Sequence, residues 1–154
     1  MKTSVDVHNY LLERDVPHEL VPLQGRPRSA DRVAAVLGLP PQQVGRVLLF
    51  DAGGRSVAAL VPADREANPS LVAGALGGGY VEALPPDRAS DLTGYLDEAM
   101  PPVGLPEDTE VVVDQGLSDE EVLYFPGGEV SSVLKIRAVD LIRVTGAAVA
   151  RIAR

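Results

Sequence analysis

The chain of 154 residues contains no cysteine. That absence removes disulfides, thiol nucleophiles and thiolate zinc sites together. Tryptophan is also missing, and Phe and Tyr make up only 4% of residues, so the core has to be aliphatic, mostly Val, Leu and Ala. No apolar run approaches the roughly 20 residues a membrane helix needs. The opening MKTSVDVHNYLLERD carries charge throughout, unlike a signal peptide. A cytoplasmic protein without a membrane partner is expected. Lysine occurs only twice, at Lys2 and Lys135, and 14 basic residues face 22 acidic ones for a net charge of −8. A whole-surface grip on nucleic acid calls for the opposite sign. Any nucleic-acid partner must therefore be held by a local patch or by another protein.

The chemistry-bearing motifs are equally sparse. Two histidines, His8 and His18, lie without cysteines, and a zinc tetrad would need carboxylates from unrelated segments, so no metal site is expected. No G-x-S-x-G elbow is present. Gly53-Gly54 and Gly77-Gly78-Gly79 are not followed by GK[ST], and read as a hairpin turn and a helix stop rather than phosphate loops. The adjacent carboxylates Asp97-Glu98 read first as solvated surface.

What is present suits one compact domain spanning 1–154, with 45% apolar and 23% charged residues. A first helix capped by Ser4 runs to about Arg14, and HELVP (18–22) reads as a short strand. A second helix spans Ser29 to Leu37, with Val33, Val36 and Leu37 inward and Gly38 as its stop. VGRVLLF (44–50) and RSVAALVP (55–62) form the clearest hairpin. Asn68-Pro69 opens a third helix. YVEAL (80–84) is a strand candidate, and Asp87 to Leu92 a turn or two of helix. TEVVVD (109–114), EVLYF (121–125) and EVSSVLKIR (129–137) read as strands, and Val139 to Val144 as a closing helix before a short apolar tail. Hairpins dominate without a βαβ rhythm. The expected class is α+β, a mixed and largely antiparallel sheet wrapped by helices.

Two features carry functional weight. The stretch 93–108, TGYLDEAMPPVGLPED, has neither period; a structured loop of that length is either functional or a cover for a sheet edge. Gly94 and Gly104 allow backbone geometries closed to other residues, Pro101-Pro102 stiffen the middle, and Tyr95 supplies a wall. Such a loop can offer backbone N–H groups to a carbonyl or phosphate oxygen. Arg46 is the second. It shares a strand face with Val44, Leu48 and Phe50. If that face is the core, Arg46 must open to a cleft or pair with a carboxylate. If Gly45, Val47 and Leu49 point inward instead, it is solvated at an edge.

In order along the chain, QVGRVLLF, AALVPAD, TGYLDEAMPPVGL, EVVVD and YFPGGE…DLIRVTGAAVARI resemble blocks of a known family. These are the YbaK/ProX-type aminoacyl-tRNA deacylases, which include the editing insertion of bacterial prolyl-tRNA synthetases. The resemblance runs from about Ser29 onward. It implies hydrolysis of the ester of a mischarged aminoacyl-tRNA, Ala- or Cys-type on a proline tRNA, without metal or cofactor. It further implies a trans-acting enzyme whose partners are the tRNA acceptor end and a prolyl-tRNA synthetase. Arg46 stands at the position of the family's substrate-contacting lysine and becomes the candidate catalytic residue. Thr93, Gly94, Tyr95, Glu98, Pro101, Pro102 and Gly104 become candidate substrate-binding residues. The chain departs from the family pattern at Arg46, at Glu98 in place of the glycine of G-x-x-x-P, and at Pro126 and Val133. An alternative follows from these departures: a non-catalytic module that binds an aminoacyl-adenosine end or a protein.

Overall fold

A computed structural model describes residues 1–27 and 29–154. The first helix, α1 (Ser4–Glu13), is capped one residue earlier than the sequence suggests. Thr3 accepts from Val5 N–H, and Asp6 reaches back to the Thr3 amide in a capping box. Strand β1 covers His18–Pro22 as expected. Helix α2 (Ala30–Leu37) has Ser29 as N-cap and Gly38 in the left-handed conformation as its stop. Its inward residue is Ala34 rather than Val36, which is exposed. The helix rests on Val44 and Ala63 through Ala34, with the partly buried Ala30 and Val33 packed beside it, so Val33 turns inward as expected and Val36 does not.

The hairpin forms from β2 (Gly45–Ala52) and β3 (Arg55–Pro62), turning at Gly53-Gly54 with both glycines at positive φ. Next come α3 (Pro69–Ala75), capped by Asn68, then β4 (Glu82–Ala83) and α4 (Pro86–Thr93). The 80–84 strand shrinks to two residues behind the glycine triplet. The second half contains β5 (Glu110–Asp114), α5 (Gln115–Ser118), β6 (Val122–Pro126), β7 (Ser132–Arg137), α6 (Ala138–Thr145) and β8 (Ala148–Ala150). Neither α5 nor β8 is foreseen from the sequence, being too short to show a period.

Two sheets result, one in the order β4-β2-β3-β5-β8 and the other β1-β7-β6. The β3–β5 and β5–β8 pairs are parallel and the remaining four antiparallel, so the mixed α+β expectation holds. The main core lies where Val47, Leu49 and Leu60 meet Phe125, Leu134 and Ile136, closed by Val7 and Leu11 of α1. A second core covers the opposite face of the larger sheet, where Phe50, Val57 and Ala59 pack with Val72 and Ile152. Central strands covered on both faces read as continuous apolar runs, which β2 and β3 do.

Where the sheets converge, only glycine fits. A Cβ on Gly45 would lie 2.3 Å from the Phe125 ring. This close approach brings the end of β6 against the start of β2, next to Arg46.

Candidate functional site

Both faces of β2 are buried, so the alternatives for Arg46 merge. It sits on the Phe50 face, at the end where that face opens, with its side chain one-third exposed. There it both pairs with a carboxylate and lines a cleft of about 300 Å³. Val47 and Leu48 of β2, Ala63 after β3 and Pro126 at the end of β6 supply most of its apolar wall. Ser29, Ala30 and Asp31 contribute the start of α2, whose first-turn N–H groups have no acceptor within the helix. A single 3-10 turn (Asp97–Ala99) and the following Met100 close the far side through Asp97, Glu98 and Met100.

Arg46 is held from one side. Its Nη1 donates to Glu66 Oε1 at 2.9 Å and to the Arg65 carbonyl at 3.2 Å. Asp97 faces it across the cleft. Desolvation raises the Asp97 carboxyl above the usual carboxylate range, Arg46 works against that rise, and Glu98 adds to it. A small recess of about 20 Å³ adjoins the cleft, sharing Ser29, Ala30, Glu98 and Pro126, with Val33, Val44, Val130 and Val133 around it. That volume is enough for one water or a methyl-sized group.

The candidate residues separate into two sets. Arg46 and Glu98 line the cleft together. Thr93 does not: it is buried, donates to the Ala89 carbonyl at 2.9 Å and accepts from Tyr95 N–H. Gly94 is the left-handed stop of α4, and its carbonyl accepts from Lys2 N–H at 2.9 Å. Tyr95 is fully buried in the main core, and Pro101 and Pro102 are buried too. Pro102 and Gly104 line a different cavity of about 520 Å³, beside Tyr10 and Arg14. The loop thus meets the cleft through residues 97–100, while its flanks anchor it to α1 and the core. Sequence reasoning missed Glu66, Met100 and the start of α2 as neighbours of Arg46. The Ser29 cap was a readable signal for where α2 begins, though not for what it faces. Asp97, taken as solvated surface, is exposed yet borders the cleft.

Residues 27–144 match the model of the aminoacyl-tRNA editing domain. The chain belongs to that family. A proline–tRNA ligase of Desulfotalea psychrophila is 32% identical to this editing domain over 108 residues, covering 70% of the chain but only 19% of the ligase. One from Streptococcus pneumoniae is 28% identical over 92 residues, 60% of the chain and 15% of the ligase. The editing domain thus spans less than a fifth of the length of these relatives. Among solved structures, hypothetical protein APE2540 superposes with a TM-score of 0.91 at 27% identity, covering 97% of this chain and 99% of that one. A proposed trans-editing enzyme for prolyl tRNA synthetase superposes at 0.87 with 22% identity, covering 98% and 96%, and shows the shared fold.

Proposed function

We propose that this editing domain hydrolyses the ester of a mischarged aminoacyl-tRNA in trans, removing a small amino acid of the Ala or Cys type from a proline tRNA. The observation that carries the reading is the cleft shared by Arg46, the start of α2 and the 97–100 turn. In this reading the terminal adenosine enters the cleft and the aminoacyl side chain occupies the valine-lined recess, whose size supports a small residue. Arg46 donates to the ester carbonyl, or to the neighbouring phosphate, and stabilises charge as it develops on oxygen. Backbone N–H groups at the start of α2, at Ala30 and Asp31, have no acceptor within the helix and add donors on the same side. Asp97, made more basic by desolvation, orients the attacking water or ribose hydroxyl. Action in trans is suggested by the structural neighbour described as a proposed trans-editing enzyme for prolyl tRNA synthetase. Net charge −8 fits a protein that samples acylated ends and leaves bulk tRNA binding to a synthetase, the partner suggested by the ligase relatives.

The test is deacylation of a panel of Ala-, Cys-, Ser- and Pro-charged proline tRNAs by the purified protein. Faster loss of Ala or Cys than in buffer, with Pro-tRNA spared, is expected; rates equal to buffer for the whole panel contradict it. A second reading, binding without turnover, is favoured by one observation: Arg46 is already engaged by Glu66. It predicts capture of an aminoacyl-adenosine analogue with no hydrolysis, and turnover abolished by Arg46→Ala disposes of it.

A further inference from the structure

The contact between Arg46 and Glu66 is an ion pair with side chains 33% and 59% exposed. Isolated pairs of that kind hold little, because two long side chains must be ordered in a screened medium. This one differs in what stands behind it. Residues 65–68 are fastened along their backbone to the last residues of the chain. Arg154 N–H donates to the Glu66 carbonyl at 2.8 Å, and Asn68 N–H to the Ile152 carbonyl at 2.8 Å. Ala67 bridges Ala153, and Arg65 Nε donates to the Arg154 carbonyl at 3.0 Å. The brace is itself fixed: Ile152 is fully buried, and the amides of Ile152 and Ala153 both donate to Asp114 Oδ1 at 2.9 Å. Glu66 and the Arg65 carbonyl therefore start from an ordered backbone. Both act on Nη1 of Arg46, which leaves the rest of the guanidinium fork for a ligand. The family match ends at residue 144, so the bracing residues 152–154 lie outside it.

We propose that Glu66 is the positioning residue of the editing cleft: together with the Arg65 carbonyl it clamps one amino group of Arg46, fixing the guanidinium at the cleft wall so that its remaining N–H groups meet an oxygen of the bound aminoacyl end. This rests on the reading that the cleft takes such a ligand. An unclamped arginine would have to be ordered by the ligand at each binding event, at an entropic cost that weakens affinity.

The experiment combines a binding cycle with a direct view of the guanidinium. Affinity for 3′-alanylamino-3′-deoxyadenosine, a non-hydrolysable amide, is measured for Glu66→Ala and Glu66→Gln, each with Arg46 and with Arg46→Ala. With Arg46 present, Glu66→Ala is expected to weaken binding about tenfold, while Glu66→Gln, which keeps an acceptor oxygen, retains most of it. In the Arg46→Ala background Glu66→Ala is expected to change binding less than about twofold. Equal losses in both backgrounds place Glu66 in the fold rather than in positioning, and no loss in either removes its role; both overturn the proposal. Nitrogen-15 spectra of the two Arg46 Nη groups read the clamp without any ligand. Separate resonances that merge in Glu66→Ala are expected, and spectra identical in the two proteins overturn it. If the wild-type protein fails to bind the analogue, the ligand reading fails, and the spectra alone decide whether Glu66 positions Arg46.

Discussion

Arg46 shows what a single residue discloses and what it conceals. Its place on an apolar strand announces that it needs a cleft or a carboxylate, because a cation on a buried face is costly otherwise. The partner is invisible in the sequence, since Glu66 reaches it only through the turn after β3 and the brace from the chain's last residues. Gly45, its neighbour, is decided by sterics alone. Gly45→Ala is expected to destabilise the fold by about 1–3 kcal/mol, read by chemical denaturation, and Phe125→Leu in the same chain to recover part of it. Tyr95 looked like a pocket wall and is a core residue instead; a ring in a loop advertises burial and binding equally. Desolvation, with a smaller contribution from Asp6, pushes its hydroxyl up to about 12. The unfolded chain releases that proton near the ordinary value of 10, so its contribution to stability is intact below that pH and lost between about 10 and 12. Tyr95→Phe is expected to lose less stability than wild type over that alkaline range in denaturant titrations at successive pH values; equal losses contradict the assignment.

Elements with a local grammar are readable and those held by distant partners are not. Ser29 and Gly38 bracket α2, Asn68-Pro69 open α3 and Gly53-Gly54 turn the hairpin, each by the chemistry of one or two residues. By contrast β8 and α5 exist because Asp114 organises them: it accepts from Gly116 N–H to cap α5 and from the amides of Ile152 and Ala153 just beyond β8. Asp114→Ala is expected to cost about 2–3 kcal/mol and Asp114→Asn less, because the amide keeps an acceptor oxygen. Helix α1 is fastened at its start in a similar way. Ser4 donates to Glu129 Oε1 from its hydroxyl at 2.5 Å and from its amide at 3.0 Å. These bonds hold the Glu129 carboxyl below the usual carboxylate range, the hydroxyl contributing most. A depressed carboxylate stabilises the fold above its unfolded pKa, and the contribution is lost as pH falls through the lower folded value. Ser4→Ala is therefore expected to flatten the acid side of the stability profile while leaving its alkaline side unchanged. An unaltered acid limb in denaturation at successive pH values argues against it.

For the whole molecule, composition and hairpins lead to the right class, but not to the parallel pairing of β3 with β5 and of β5 with β8. Those contacts join segments far apart in the chain, and no local period encodes them. The same holds for the site: five elements meet at the cleft, and of its lining the sequence singled out only Arg46 and Glu98 as site residues and Pro126 as a departure from the family pattern. The two sheets and their shared core bring the cation, the helix start and the carboxylates to one edge of the molecule. That edge is where the proposed hydrolysis of an acylated RNA end takes place. Its most direct test is single-turnover deacylation of Ala-charged proline tRNA by wild type and Arg46→Ala at saturating protein. Loss of one oxyanion donor lowers the rate about 10²-fold or more, the drop expected here with an unchanged unfolding midpoint. A rate that Arg46→Ala leaves untouched would contradict it.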